Sequence, residues 1–260
     1  MKLYLRYLEI LFKSQLQYRA SFILMTIGQF FVPLVMFASI YFLFEKFGQI
    51  EGWSFFEVAL CFSIVHMSFA ISVCFMRGFD SFSKLVVNAG FDRLLVRPRN
   101  TIVQVLGSNF EFTRLGRLIQ STMVLIWALL NISIEWNAFK VATLIFMLIG
   151  GIFIFSGIFI LGASLCFFTV QGLELINIFT DGSREISQYP LSIYKDWVKN
   201  FFTFIVPLGI INYIPLMYLL GRGPYNDILS MLTPLIGIVF IIPCLYVWKF
   251  GVSKYLSAGS

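Results

Sequence analysis

The ionisable residues that lie inside or beside apolar stretches are the first candidates for chemistry in this sequence. The single histidine, His66, lies in the apolar run 58–76. A second group lies between two apolar runs and consists of Glu174, Asp181, Arg184 and Glu185. In a membrane such side chains are costly unless they are paired or hydrated, so they often mark substrate or ion pathways. Both groups are therefore candidate pathway residues.

Each candidate also has a simpler structural explanation. A lone neutral imidazole such as that of His66 often only hydrogen-bonds a neighbouring helix. Asp181 lies three residues before Arg184 and four before Glu185, so on a helix the three share one face and could line a polar cavity. In a loop the same three residues would simply be solvated.

Sequence motifs for catalysis or cofactor binding are absent. The chain has no GxxxxGK[ST] loop for nucleotide phosphates, no HExxH motif and no nucleophile elbow. One histidine excludes a His-pair metal site. Four cysteines lie singly in apolar runs without CxxC spacing, which is typical of small buried residues: Cys61, Cys74, Cys166 and Cys244. We expect no catalytic residue, no bound metal and no cofactor in this chain.

The composition indicates an integral membrane protein. Hydrophobic residues make up 59% of the sequence, Phe alone occurs 31 times, and only 12% of the residues are charged, against about 25% in soluble domains. The apolar residues form continuous runs, which favours transmembrane helices over an alternating outer-membrane barrel. The five clearest runs are 20–44, 58–76, 118–134, 141–168 and 228–248. The predicted fold class is an all-α membrane protein, with residues 1–260 as a single transmembrane domain.

The first 19 residues have the pattern of an interfacial helix. Lys2, Arg6, Glu9 and Lys13 recur at spacings of four, three and four, which forms one polar stripe on an otherwise apolar helix. A plain extension of the first span into the cytosol is the alternative.

The distribution of Lys and Arg predicts the orientation. Residues 1–19 contain four of them and residues 77–117 contain seven, whereas residues 45–57 and 135–140 contain one each. The N-terminus and residues 77–117 are therefore expected in the cytosol. With an even number of spans both termini are cytoplasmic.

Residues 170–220 allow two arrangements with the same total of six spans. In the first, 170–200 is a cytosolic loop and 201–220 is the fifth span, although Pro207 and Pro215 interrupt it. In the second, 172–188 is a short, polar fifth span, and 189–220 folds back into the outer leaflet. Charge alone does not separate the two arrangements.

The segment 77–100 has the pattern of a short amphipathic helix between two spans. Asp80 lies near its start, and Asn88-Ala89-Gly90 resembles a helix stop. Its apolar face would consist of Phe79, Phe82, Leu85, Val86 and Phe91. Three arginines follow: Arg93, Arg97 and Arg99. Such a surface could dock a soluble partner, or it could rest on anionic lipid.

Three stretches of the chain resemble the permease subunits of ABC-2 type ABC transporters, in the six-span branch of about 260 residues. They are "FDRLLVRPRN" at 91–100, "FFTVQGLELINIF" at 167–179, and "REISQYPLSIYKDWVKNFFTFIVPLGIINYIPLMYLLGR" at 184–222. The third is the most specific, because its Tyr-Pro and two later prolines keep the spacing of the family.

The resemblance implies a complex of two permeases, identical or paralogous, with two separately encoded ATPase subunits that bind ATP and Mg. It implies a coupling helix between spans two and three that docks on the ATPase. The docking residues would be Asp80, Phe82, Lys84, Leu85, Asn88 and Gly90. It also favours the second arrangement, with 189–220 re-entrant from the outside and with Tyr189, Pro190, Pro207 and Pro215 as gate residues. The expected location is the bacterial inner membrane, with the lipid bilayer and no nucleic acid as a further partner.

The expected function is ATP-driven transport of a hydrophobic or amphipathic substrate by alternating access. The predicted direction is export. An ion-gradient-driven secondary transporter is the alternative. It would need an internal inverted repeat and an ionisable group at the membrane midplane. The sequence shows no repeat, and only His66 clearly meets the second requirement. A structural membrane scaffold is a third possibility.

Overall fold

The computed structural model describes residues 2–169, 172–222 and 228–255, with side chains described from residue 4 onward and not for 172–176. Within these ranges the chain is helical, and its only β-type pairing is an isolated bridge between Ile50 and Trp53. The long helices are α2 (Arg19–Phe47), α3 (Phe55–Asp80), α7 (Leu115–Asn131), α8 (Ala138–Leu165), α9 (Gly172–Ser187) and α13 (Ile236–Lys254). The short helices are α1 (Lys2–Leu16), α4 (Phe82–Val87), α5 (Gly90–Leu95), α6 (Thr101–Leu106), α10 (Asp196–Asn200), α11 (Ile214–Leu220) and α12 (Ile228–Leu232).

Four stretches in the described part of the chain are long and apolar enough to cross a membrane: α2, α3 with α4, α8, and α12 with α13. The bent pair Asp196–Ile205 and Gly209–Leu220 would make a fifth if it counts as one span. The 17-residue α7 and the 16-residue, more polar α9 are shorter. The six-span count stays a prediction.

Helix α3 is the centre of the bundle. It packs against α2, α7, α8 and α9, and 83% of its most apolar window is buried, compared with 17% for α2. The two helices have nearly equal hydropathy, so the difference reflects their position in the bundle. We call the two termini of α3 the Phe55 end and the Asp80 end.

Close backbone approaches join α8 to its neighbours. Gly150 of α8 lies against the backbone at the start of α13: a Cβ on Gly237 would collide with Gly150 O, and a Cβ on Gly150 would collide with Pro234 O. Gly151 lies in the same way against the Ser68 side chain of α3. Small residues at such contacts let membrane helices pack closely, and Ser68 Oγ donates a hydrogen bond to Leu148 O here.

The segment after α3 forms two short helices where the sequence predicted one coupling helix at 80–90. Asp80 ends α3, α4 and α5 follow, and Ala89 between them has the left-handed φ of 49°. The predicted apolar face turns inward, because the rings of Phe82 and Phe91 pack on each other and on Trp248 of α13. This fixes the loop on the bundle.

The chain after α9 makes a sharp bend rather than a straight span. A 3₁₀ turn (Leu191–Ile193) and α10 lead into a π turn at Phe201–Ile205, and a second π turn at Gly209–Tyr213 leads into α11. The two halves meet at 91° around Pro207. Proline lacks the N–H that a continuous helix would need at this point.

Arg6, Glu9 and Lys13 of the polar stripe on the N-terminal helix α1 are exposed, and Lys13 Nζ lies 2.6 Å from Glu9 Oε1. This lysine lowers the pKa of Glu9. The helix contacts the residues between α6 and α7. Gln15 Nε2 donates to Phe110 O at 2.6 Å, and the rings of Phe12 and Phe112 make an edge contact.

Candidate transport site

A polar cavity of about 560 Å³ lies beside the Asp80 end of α3. Helices α3, α7, α8 and α9 and the turn before α7 line it. The charged lining residues are Arg77, Asp80, Arg114, Arg117, Asp181, Arg184 and Glu185. Phe69, Val73 and Phe159 form an apolar wall. The cavity therefore offers both charged groups and aromatic surface to a molecule inside it.

The α9 wall of the cavity carries three of the residues that the sequence singled out. Arg184 lies 2.9 Å from Asp181 and 2.7 Å from Glu185. The Arg184 side chain is only 8% exposed, whereas the two carboxylates are 55% and 40% exposed. Its guanidinium also lies 4.9 Å from the centre of the Phe69 ring. The three residues share one face of α9, and this face holds a buried cation between two half-exposed anions.

The opposite wall contains the predicted docking residue Asp80 and three arginines that the sequence indicated only for orientation, Arg77, Arg114 and Arg117. Arg77 pairs with Asp80 and with Glu111, the second at 2.9 Å, and Glu111 also lies 3.2 Å from Arg114. Arg117 Nε donates to Gln29 Oε1 of α2 at 2.7 Å. Their separation in sequence hid this network. The sequence signal that could have located this network is the excess of arginines close to the end of a predicted span.

A chain of polar side chains leads from the cavity to His66. Gln188 Nε2 donates to Glu185 Oε2 at 3.0 Å, and Gln188 Oε1 lies 3.4 Å from His66 Nε2. The imidazole is buried and stacks on the Phe62 ring, with 3.9 Å between ring centres. His66 thus does not belong to the cavity lining, and its contact is with Gln188, which directly follows α9.

The last turn of α9 is tied to α3 and to the bent segment. Ser187 O accepts hydrogen bonds from Asn212 Nδ2 at 2.9 Å and from Cys61 Sγ at 3.3 Å. The order of these contacts gives the direction of α9. Arg184 meets Phe69, and the later Ser187 meets the earlier Cys61. Helix α9 therefore runs antiparallel to α3, from the Asp80 end toward the Phe55 end.

Both ends of segment 189–222 contact the Phe55 end of α3. Trp53 Nε1 donates to Ser192 Oγ at 2.8 Å. Thirty residues later, Arg222 lies 2.7 Å from Glu57 Oε1 and 5.3 Å from the centre of the Trp53 ring. We call Trp53, Glu57, Ser192 and Arg222 the clasp. Between these two contacts the chain reaches the interior of the bundle, where Val206, Leu208 and Ile211 are buried.

Comparison with known protein families identifies the family of this chain. The model of a family described as "ABC-2 family transporter protein" matches residues 23–259. The chain belongs to this family. A search of curated proteins and a search of solved structures return no match. The protein is thus a membrane component of an ABC transporter, and ABC-2 permeases work with separate ATPase subunits.

The remaining predicted pathway and gate residues of this ABC-2 permease fall into two groups. Pro190, Pro207 and Pro215 are buried and Tyr189 is half-buried, all in the bent segment. The Glu174 side chain lies outside the described residues, although its backbone belongs to α9. Among the described residues no group of His, Cys, Asp or Glu could hold a metal ion.

The predicted ATPase-docking residues of the permease divide between exposed and internal positions. Lys84 and Asn88 are exposed. Phe82 and Gly90 are buried, Leu85 packs on the core, and Asp80 pairs with Arg77. The interpretation of Phe82, Gly90 and Asp80 as contact residues is therefore not supported in this conformation. Val87, Leu95 and Val96, which the sequence reasoning omitted, are exposed beside Lys84 and Asn88.

Proposed function

We propose that this ABC-2 permease exports an amphipathic or hydrophobic molecule along a pathway between α3 and α9, driven by ATP on partner subunits. The main observation that supports this proposal is the direction of α9 along α3. It leads from a cavity with charged and aromatic walls to a clasp that ties segment 189–222 to the other end of α3. Family membership supports ATP coupling, and it does not favour the ion-gradient alternative.

The two ends of the α3–α9 pair support alternating access. At the Phe55 end the clasp and the buried residues of segment 189–222 cover the bundle. At the Asp80 end the cavity carries paired charged groups, of which Asp181 and Glu185 are partly exposed and can meet water or a ligand. This difference between the ends supports a transporter that is closed on one side and accessible on the other. Opening the clasp and closing the cavity would expose the same site to the opposite side.

The chain direction supports the re-entrant arrangement of 189–220. A span would begin at one end of α3 and finish at the other. Here Ser192 and Arg222 both contact Trp53 or its neighbour Glu57. Irregular backbone around Pro207 is tolerated at membrane depth because the protein covers it. The excess of Lys and Arg in 77–117 then assigns the Asp80 end to the cytosol, with both termini on that side of the bacterial inner membrane.

The walls of the cavity support an amphipathic cargo. A polar headgroup could pair with the arginines and carboxylates, and an apolar part could lie against Phe69 and Phe159. The partner subunits would bind ATP and Mg, since the permease has no nucleotide-binding motif. A second permease, identical or paralogous, would complete the pathway.

The exposed residues of α4 and α5 are the proposed docking surface for the ATPase. We expect the double substitution Lys84→Glu and Val87→Asp to abolish co-purification with a co-expressed candidate ATPase subunit. It should also abolish ATP-dependent transport, because the change adds charge to an apolar and basic contact. Lys46→Glu, an exposed charge reversal near the other end of the bundle, is the matched control and should leave both unchanged.

Two results would contradict the proposal. One is normal ATPase binding and transport by the Lys84→Glu, Val87→Asp variant. The other is transport that survives ATP depletion and stops on addition of an uncoupler, which would restore the secondary-transporter alternative. In both experiments, normal expression and monodispersity of the variant establish that it has folded.

A further inference from the structure

An apolar cavity of about 410 Å³ lies on the other side of α9, separate from the charged one. Four elements form it: α8, α9, the π turn with the residue that follows it, and α13. Its lining residues are Ile158, Leu161, Gly162, Leu165, Phe179, Ser183, Phe201, Ile205, Val206, Phe240 and Val247. Cavities of this size with an apolar lining and few polar groups are typical of binding sites for hydrophobic ligands.

Among the described lining residues of this cavity, the single polar side chain has no hydrogen-bond partner. Ser183 is 1% exposed, and its Oγ makes no hydrogen bond to any described residue. A buried hydroxyl without a partner is unfavourable, so a ligand oxygen beside Ser183 would be stabilised there. The lining thus specifies a hydrocarbon body with a hydrogen-bond acceptor.

The mouth of the cavity faces the surroundings of the helix bundle. Leu165, Phe179, Ile205 and Val247 line the cavity and are also exposed. In a multi-pass membrane protein exposed apolar side chains of this kind meet lipid hydrocarbon. Lipid tails are therefore the most abundant molecules at the opening.

We propose that this cavity binds one acyl chain of a membrane lipid, with an oxygen of the acyl group accepting a hydrogen bond from Ser183 Oγ. The bound chain fills the space between α8, α13 and the π turn at Phe201–Ile205. It braces segment 189–222 against the bundle from the side opposite the charged cavity. The site is distinct from the proposed transport pathway.

The test uses the full-length permease in phosphatidylcholine nanodiscs and a palmitate analogue with a photoreactive diazirine on its chain. We expect saturable labelling of Leu161, Phe201 or Val206, with unlabelled palmitate as competitor. Gly162→Leu, which places a side chain in the cavity, should lower specific labelling about tenfold or more. Ser183→Ala should weaken binding about fivefold, since one hydrogen bond is lost.

Ser187→Ala is the matched control, because Ser187 is also a buried serine with an unpartnered hydroxyl, one turn away and outside the cavity lining. It should label like the wild type. Equal labelling of exposed α2 residues such as Leu24, unchanged by Gly162→Leu, would overturn the proposal. So would efficient cross-linking between two copies through Phe179→Cys and Ile205→Cys, because a second copy would then cover the mouth.

The readout requires neither ATPase nor transport. Failure of the labelling prediction leaves the proposed export function standing, and failure of export leaves the acyl-chain site standing. Unchanged unfolding temperatures of Gly162→Leu and Ser183→Ala separate loss of binding from loss of folding. If Gly162→Leu misfolds, the difference in labelling between Ser183→Ala and Ser187→Ala still tests the proposal.

Discussion

Charged residues have different roles at the two ends of α3. At the Phe55 end one partly exposed ion pair, Glu57–Arg222, works with Trp53 and Ser192 to hold the ends of a long segment together. At the Asp80 end seven charged residues surround a cavity. The first arrangement brings distant chain segments together, and the second keeps charged groups available at the bundle's interior. The proposed alternating-access mechanism uses both properties.

The largest effect is expected from removing the carboxylates that balance Arg184. Asp181→Asn with Glu185→Gln leaves a buried guanidinium without an anion. This should cost about 3 kcal/mol of stability. The measurement is the shift of the thermal unfolding transition of the purified permease.

A third substitution provides the control for this prediction. Adding Arg184→Met to the double variant removes the uncompensated charge and should recover at least half of the lost stability. No recovery would mean that the two carboxylates stabilise the fold by contacts other than those with Arg184.

A smaller effect is expected from breaking the clasp. Arg222→Met should cost about 1 kcal/mol, because its side chain is 41% exposed and exposed ion pairs contribute little. High salt should reduce the difference between this variant and the wild type. In transport assays the assembled transporter that contains this variant should hydrolyse ATP faster without cargo, because one restraint on segment 189–222 is lost.

A double-mutant cycle with Glu57→Gln separates the clasp from general destabilisation. The two substitutions should be less than additive, since both remove the same ion pair. Strict additivity would show that Glu57 acts only through its hydrogen bond from the Ser54 N–H.

The smallest effect is expected at His66, which lies between the two ends. His66→Phe should leave ATP-driven transport within about twofold of the wild type, because the 3.4 Å contact with Gln188 is long and the ring mainly stacks on Phe62. Transport at several proton gradients is the measurement. Loss of transport would give His66 a direct role in coupling.

The sequence predicted local features better than distant contacts. The five apolar runs correspond to α2, α3, α7, α8 and α13 with shifted boundaries. The shared face of Asp181, Arg184 and Glu185 followed from spacing on one helix. Phe82 lies on the predicted apolar face, but an amphipathic pattern does not show whether that face meets a partner or the chain's own Trp248.

Other features had no local signal. The clasp joins Trp53 to Ser192 across 139 residues, and neither residue is unusual in its own neighbourhood. The wall formed by Arg77, Glu111 and Arg114 likewise needs the fold to bring it together. Tyr-Pro and the two later prolines were informative because proline interrupts a helix wherever it falls in the chain.

The most direct test of the account is the side of the membrane from which segment 189–222 can be reached. All four native cysteines are buried, so the wild type gives a low background with thiol reagents. A cysteine at the exposed Ser192 should react with a membrane-impermeant reagent added outside intact cells, and a cysteine at Lys84 should react only after the cytosolic side is opened. Labelling of Ser192→Cys from the cytosolic side alone would contradict the re-entrant gate and make residues 170–200 a cytosolic loop.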